Sequence, residues 1–161
     1  MDAQAYRAIM RHQAGAVTII AVGEAGNRTG LTATAVCSLT DNPPTVLACV
    51  NRNASAHKPI RAVRVFSINL LARDQLSLAA SFSGKAGLEG EERFKPDEWT
   101  TLATGAPVLK NALASLDCEL TEEHEFMTHS IFIGRVKDGQ HRDHAEPLLY
   151  FRGDFWDLKG R

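Results

Sequence analysis

Four hydroxyl side chains lie among the first eleven residues of one short stretch of the sequence, GLTATAVCSLTDNPPTVLACV (30–50), and the other residues among those eleven are glycine, cysteine or apolar. They are Thr32, Thr34, Ser38 and Thr40. Residues two apart in a strand share a face, so Thr32 and Thr34 are expected to point the same way. Hydroxyls and turn amides hydrogen-bond a phosphate or a polyol chain without needing a large positive charge. The pattern therefore favours a polar ligand against this segment, and the alternative is that threonine simply suits a strand.

Two other clusters combine residue types that do chemistry elsewhere. HRDHAE (141–146) carries two histidines and two acidic residues at a spacing close to that of metal ligands. It lies in a polar turn between predicted strands, so we interpret it as a solvated loop and predict no metal site. EGEERF (89–94) is interpreted as the acidic surface of a loop, from which Arg93 and Phe94 would reach a ligand if the loop closed.

Three cysteines, Cys37, Cys49 and Cys118, are widely spaced and form no CxxC pair. An odd number at this spacing indicates no disulfide framework. We therefore predict reduced thiols in a cytoplasmic protein.

Composition predicts a soluble globular chain forming a single domain over residues 1–161. Hydrophobic residues make up 44% and charged residues 23%, and the formal net charge is -1. A nucleic-acid-binding surface would need a basic excess, so that class of partner is not expected. No apolar run approaches the roughly 20 residues of a membrane helix, and the N-terminus lacks the order of a secretion signal.

Periodicity and turn signals predict the elements that must position these residues. Strands are predicted at 14–23, 29–36, 45–50, 65–71, 113–126, 128–139 and 147–158, and short helices at 3–14, 53–63 and 73–84. The polar, glycine-rich segment 85–99 is predicted to be a mobile loop. Strands that cluster early and late favour a closed antiparallel barrel with a helical insertion over a doubly wound parallel sheet. The dinucleotide fingerprint GxGxxG is absent after any strand.

One long segment closely resembles a known family. GLTATAVCSLTDNPPTVLACVNRNASAHKPI (30–60) resembles the flavin-binding segment of the short-chain flavin reductases, of the 4-hydroxyphenylacetate 3-monooxygenase reductase type. Further segments resemble the family in the same order: YRAIMRHQAGAVTII (6–20), FSINLLARDQLSLAASFSG (66–84), ERF (92–94), HSIFIGRV (129–136) and PLLYFRGDFWDL (147–158). The resemblance spans nearly the whole chain, and the ordered set is more specific than any one motif.

The resemblance implies a fold and an activity. The fold would be mainly β, a split antiparallel β-barrel of the FMN-binding, Greek-key type with a few short helices, usually as a homodimer. The activity would be hydride transfer from NADH or NADPH to FMN or FAD, with reduced flavin supplied to a separate monooxygenase. Two alternatives stay open. One is a reductase that keeps FMN bound and acts on another acceptor, such as a corrin ring in cobalamin synthesis, and the other is a flavin-binding protein without activity.

The resemblance also implies site residues for the flavin. Those lining the ring would be Thr32, Ala33, Thr34 and Ala35, with Ser38 near it, and those beside the ribityl chain would be Cys49, Val50 and Asn51. The phosphate would meet Ser55, Ala56 and Lys58 at a helix start, with Ser81, Phe82 and Ser83 as second candidates. Ser55 has the alternative of a plain helix cap, and Phe82 that of a plain core residue.

Three residues of the last two predicted strands complete the implied site. His129 would lie over the flavin and seat the nicotinamide, as a positioning group that carries no proton, and its alternative is a structural histidine. Tyr150 and Arg152 alternate along the closing strand and would close the same pocket. Arg152 has the alternative of an ion pair between subunits.

Overall fold

A computed structural model describes residues 1–84, 86–95 and 97–158. The strands are β1 (Gly15–Ala16), β2 (Thr18–Val22), β3 (Thr29–Ala33), β4 (Val36–Asp41), β5 (Pro44–Asn51), β6 (Val65–Leu70), β7 (Trp99–Thr101), β8 (Pro107–Leu109), β9 (Ala114–Phe126), β10 (His129–His141), β11 (Leu148–Phe151) and β12 (Asp154–Asp157). The α-helices are α1 (Ala3–Met10), α2 (His57–Val63) and α3 (Leu76–Phe82), and short 3-10 helices cover Arg73–Gln75 and Gly90–Phe94. No helix within these ranges is long and apolar enough to cross a membrane.

A seven-stranded antiparallel sheet in the order β3-β2-β6-β9-β10-β5-β4 forms the barrel. Its edge strands β3 and β4 are consecutive in the chain, and only Thr34 and Ala35 separate them. A link this short spans about 10 Å at most, so the sheet must curl until its edges approach each other. The Cys49 amide donates to the Ala35 carbonyl at 2.9 Å, which extends the β4–β5 pairing into this link. The predicted mainly β, split antiparallel barrel is confirmed.

Strand alternation gives the barrel a continuous apolar interior. Every second residue of β2, β5, β6, β9 and β10 points inward, and the buried set comprises Ile20, Val22, Val46, Ala48, Val50, Phe66, Ile68, Cys118, Leu120 and Phe132, with Ala56 and Ile60 from the α2 region. Gly134 is required by this packing, because a Cβ there would lie 2.6 Å from the Phe66 ring. The pKa of the enclosed Cys118 thiol is raised to about 12, mainly by burial, whereas Cys37 is exposed.

A second apolar cluster covers the outer face of β2. Helix α3, the small sheet β1-β11-β12 and the segment 90–112 contribute to it. Its buried members are Val17, Ile19, Ala21, Leu71, Leu78, Ala79, Phe82, Phe94, Leu109, Ala112 and Leu148. This second layer leaves a seam between the barrel wall and the small sheet.

The buried side chain of Asn69 joins the two layers. Its Nδ2 donates to the Ile19 carbonyl at 3.2 Å and to Ser67 Oγ at 2.8 Å. Its Oδ1 accepts from the Leu109 amide and from Ser115 Oγ, both at 2.9 Å. One amide group therefore ties together β2, β6, β8 and β9.

The segment predicted to be a mobile loop is instead held against the barrel. Phe94 is 1% exposed and packs on the rings of Phe82 and Trp99, with centroids 5.0 and 4.6 Å away. Glu91 pairs with Arg28 in the β2–β3 hairpin. Aromatic side chains that insert from irregular backbone follow no period, so the residue pattern did not indicate this packing. Of the predicted loop, Lys85 and Pro96 lie outside the described residues.

Other predicted boundaries shift for local reasons. The strand predicted at 14–23 is two strands, and the one predicted at 147–158 is a hairpin that turns at Arg152 and Gly153, both of which have positive φ. The helix predicted at 53–63 begins only at His57, and the one at 73–84 opens with a 3-10 turn. Ser55 does not cap α2, because the N-cap position is Ala56 and no side chain caps it.

Candidate functional site

The seam between the barrel and the small sheet holds a cavity of about 200 Å³. It is lined by Val17, Thr32, Ala33, Thr34, Ser83, Tyr150 and Phe155. Five of these residues are among the predicted site residues, and they come from β3, the end of α3 and β11. The structure thus brings distant parts of the chain to one place, with hydroxyl groups and aromatic rings around it.

A larger cleft of about 500 Å³ adjoins this cavity. It is lined by Arg7, Met10, Arg11, Gln13, Gly15, Thr34, Ala35 and Tyr150. Thr34 and Tyr150 line both spaces, which therefore form one continuous groove, called the seam groove below. Its size falls in the range of small-molecule sites, about 300–1,000 Å³.

Thr32 and Thr34 line the same cavity, but among the described residues only the Thr32 hydroxyl has a hydrogen-bond partner. Thr32 Oγ1 donates to the Ala79 carbonyl at 2.7 Å and so joins β3 to α3. Thr34 Oγ1 has no hydrogen-bond partner among the described residues. A Cβ at Gly15 would lie 3.1 Å from Thr34 Cβ, so the glycine lets β1 pass close by. Thr34 is therefore the hydroxyl left free for a ligand, and Thr32 is largely structural.

A separate cleft of about 330 Å³ lies beside the start of α2. It is lined by Arg52, Asn53, Ala54, Ser55 and Lys58. Ser55 Oγ accepts from Thr29 Oγ1 at 2.8 Å, which ties this cleft to the first residue of β3. Lys58 enters no ion pair within the described residues. Hydroxyl, amide and ammonium donors in one concave place suit a phosphate group.

Three residues that were predicted to contact the ligand have buried side chains, which corrects the prediction for them. The side chains of Val50 and Ala56 lie in the barrel interior, and Phe82 is enclosed in the second cluster. Val50 faces inward because β5 alternates, which leaves Cys49 and Asn51 on the outer side. At these three positions only main-chain atoms are available to a ligand. Phe82 therefore matches the alternative interpretation given above, that of a plain core residue.

Three further predicted residues, Ser38, Ser81 and Arg152, do not line the cavities of the groove. Ser38 is exposed on β4, and Ser81 is nearly buried with its hydroxyl donating to the Ser77 carbonyl at 3.0 Å. Arg152 stacks its guanidinium over the Phe151 ring at 5.1 Å.

His129 is exposed at the first position of β10 and its Nδ1 lies 2.9 Å from Thr128 Oγ1. Strand register places it directly opposite Asn51. Cys49, two residues earlier, hydrogen-bonds Ala35. His129 therefore lies on the outer face of the sheet, beside the end of β5.

A buried polar cluster lies just behind the α2 cleft. Ser130 Oγ donates to Glu123 Oε1 at 3.1 Å, and it therefore accepts from His57 Nε2 at 2.8 Å. Arg61 Nε pairs with Glu123 Oε2 at 2.8 Å, and the His57 ring packs on Phe132 at 5.2 Å. The neutral imidazole with its proton on Nε2 satisfies this arrangement.

Burial lowers the pKa of His57 below its usual value, and Arg61 and Arg52 lower it further, against the opposing effect of Glu123 and Glu125. In the unfolded chain the group keeps its ordinary pKa of about 6.5. Below that pH the unfolded chain binds more protons, so the free energy of unfolding falls as pH falls. We expect the urea midpoint to drop between about pH 8 and about pH 5.5.

His57→Gln should flatten this pH dependence, since the amide still donates to Ser130 but does not titrate. His124→Gln is the matched control, because His124 is exposed and should leave the dependence intact. A profile that is equally steep in wild type and His57→Gln would show that another group is responsible.

The HRDHAE segment lines a broad surface cleft of about 660 Å³ with Arg73 and Asp74. His141 and Asp143 pair at 3.1 Å with both side chains 75% exposed. Within the described ranges, no three or more histidine, cysteine or acidic residues gather in a way that could hold a metal ion.

An antiparallel barrel with an open groove between its outer wall and a small second sheet is the fold of the split-barrel flavin reductases. The sequence profile of the Flavin reductase like domain matches residues 10–159, and the chain belongs to that family. FMN reductase (NADH) RutF of Agrobacterium fabrum is 47% identical over 146 residues, covering 91% of this chain and 83% of that protein.

Solved structures agree with this assignment. NADH:FAD oxidoreductase SgcE6 of Streptomyces globisporus, solved with NAD and FAD fragments, has a TM-score of 0.88 at 27% identity and covers 98% of this chain and 93% of its own. BorF is the flavin reductase component of a bacterial two-component tryptophan halogenase. It has a TM-score of 0.90 at 31% identity and covers 99% of this chain and 100% of its own.

Sequence reasoning missed seven residues that line the groove: Arg7, Met10, Arg11, Gln13, Gly15, Val17 and Phe155. A signal existed for the arginines, since basic residues four apart lie on one side of a helix. Nothing local distinguishes Gly15 or Phe155, because their importance depends on which strand they approach.

Proposed function

We propose that this chain is a flavin reductase that oxidises NADH and reduces FMN, acting as one domain over residues 1–161. The observation that carries the proposal is the open seam groove, with the free Thr34 hydroxyl in it and the cationic α2 cleft elsewhere on the same barrel wall. The Agrobacterium relative is named as an FMN reductase that uses NADH, which favours FMN and NADH over FAD and NADPH.

The residues fit this chemistry. Bound flavin accepts a hydride from reduced nicotinamide, and the transfer requires no acid or base from the protein. The protein must hold two planar rings face to face at roughly 3–3.5 Å. In our proposal the Thr34 hydroxyl and nearby main-chain amides orient the flavin ring, Tyr150 bounds it, and Ser55 and Lys58 bind its phosphate.

His129 is proposed to seat the nicotinamide as a positioning group. Its exposed ring next to Asn51 supports this role. His129→Ala is expected to raise the KM for NADH by about tenfold, since one oriented contact is lost, while the dissociation constant for FMN changes little. Steady-state kinetics and a fluorescence titration of FMN measure the two quantities. His124→Ala is the control, and an unchanged KM in His129→Ala would remove His129 from the site.

We propose further that reduced flavin leaves and serves a separate flavin-dependent monooxygenase. The role of BorF within a two-component system supports this organisation. The alternatives are a reductase that retains FMN for another acceptor, such as a corrin ring, and a binder without activity. Purified protein is mixed with NADH and increasing free FMN in air, and absorbance is followed at about 340 nm. Turnover that rises with free FMN supports the proposal, and turnover that does not respond to it favours retained FMN. A flat trace contradicts reductase activity.

We also propose a homodimer located in the cytoplasm. The outer face of β5 and β10 is apolar and half-buried at Leu47, Cys49, Ile131 and Ile133, and no other described element covers it as α3 covers β2. A second copy of this chain is the proposed cover, in keeping with the family resemblance. Light scattering should give twice the mass of one chain, and a monomer mass at micromolar concentration would contradict the dimer.

A further inference from the structure

The first helix presents two arginines to the seam groove. Arg7 and Arg11 are four residues apart, so their side chains share one side of α1. Both line the larger cleft, in which Thr34 and Tyr150 form the opposite part of the lining. No residue of α1 is buried. The helix therefore contributes a charged surface to the groove and little to the core.

These two guanidinium groups have no acidic partner within the part of the chain that the structure describes. Elsewhere Arg28, Arg52, Arg61 and Arg73 all pair with carboxylates. The acid nearest in sequence is Asp2, and its Oδ1 caps the helix by accepting from the Gln4 and Ala5 amides. The positive charge at the cleft is thus uncompensated.

The cleft has a fixed wall rather than a loose one. The Arg11 carbonyl accepts from the Arg152 amide at 2.7 Å, which holds the end of α1 against the β11–β12 turn. The His12 ring meets the Phe151 ring edge-on at 6.5 Å, and its Nδ1 lies 3.1 Å from the Ala8 carbonyl. The two arginines are therefore presented from an anchored helix.

We propose that Arg7 and Arg11 bind the diphosphate of the hydride-donating dinucleotide. The inference rests on the proposed function, because it places the donor in the same groove as the flavin. Guanidinium groups match phosphate oxygens with paired donors and stay charged at all relevant pH values. The α2 cleft shares no lining residue with the cleft that contains Arg7 and Arg11, so the phosphate of FMN has a separate binding site. Charge and position together make the cleft a diphosphate site.

A donor that lacks the diphosphate provides the sharpest test. Arg7→Gln, Arg11→Gln and the double variant are compared with wild type, using FMN as acceptor and either NADH or reduced nicotinamide riboside, which carries no phosphate, as donor. We expect the KM for NADH to rise by about tenfold in each single variant and by more in the double variant, since charge-assisted contacts are lost. The KM for the riboside should change less than about threefold. Arg135→Gln is the control, because Arg135 is exposed on β10.

FAD carries the same diphosphate chemistry, so its KM is measured in parallel with NADH held constant. A rise in the KM for FAD with no change for NADH would assign the cleft to the flavin and overturn the proposal. Equal changes with NADH and with the riboside would also overturn it. Binding of oxidised NAD to wild type and the double variant is measured by calorimetry, which needs no turnover. Loss of that binding in the double variant supports the site even if reductase activity is absent, and equal binding contradicts it.

Discussion

Thr34→Trp is expected to lower kcat/KM for NADH oxidation by at least about a hundredfold while the chain stays folded. Thr34 lines both parts of the seam groove, and an indole in its place would occupy the volume that the flavin ring needs. Its hydroxyl has no partner among the described residues, so the substitution breaks no internal hydrogen bond. The measurements are steady-state kinetics and the FMN dissociation constant by fluorescence.

Thr101→Trp is the matched control for this variant. Thr101 is exposed on β7 and does not line the seam groove. It should retain wild-type kinetics and FMN affinity. Circular dichroism and the thermal midpoint establish that both variants are folded. Normal FMN affinity in folded Thr34→Trp would mean that the flavin binds elsewhere on the molecule.

Asn69→Leu is expected to lower the free energy of unfolding by about 3–5 kcal/mol. The isosteric side chain fills the space but leaves the Leu109 amide, the Ser115 hydroxyl and the Ile19 carbonyl without their partner. Each buried polar group without a partner costs about 1–3 kcal/mol. The affected groups lie between the barrel and the layer that forms the groove, so FMN affinity should weaken as well.

Urea denaturation followed by tryptophan fluorescence measures this loss. Asn27→Leu is the control, since Asn27 is exposed in the β2–β3 turn and should change the free energy of unfolding by less than about 0.5 kcal/mol. A similar small effect in Asn69→Leu would show that the two layers are held together by apolar packing alone.

Strand alternation was the most informative feature of the sequence, and it also set a limit. It predicted that Thr32 and Thr34 share a face, and both line the same cavity. The clustering of strands early and late in the chain predicted the antiparallel arrangement, which is confirmed. Alternation does not say which face is inside, so it could not correct the position of Val50, which the resemblance placed beside the flavin although its side chain fills the barrel. Tertiary pairing makes that choice, because β5 lies between β4 and β10.

The sequence could not predict the residues whose role depends on contact with a distant strand. Gly15 matters because β1 passes Thr34, and Phe155 because β12 folds back on β11. Arg7 and Arg11 lie at the end of the chain farthest in sequence from Tyr150, yet the three share one cleft. The local sequence pattern does not show which distant parts of the chain these residues contact. The resemblance to a family did place Tyr150 at the pocket.

The central claim is that the seam groove holds flavin where a nicotinamide can reduce it. The most direct measurement is an anaerobic titration of the protein and equimolar FMN with NADH, followed at about 450 nm, for wild type and Thr34→Trp. We expect wild type to bleach the flavin fully with one equivalent of NADH, and Thr34→Trp to bleach it no faster than FMN and NADH without protein. Equal bleaching rates in the two proteins, or no bleaching by wild type, would contradict the account.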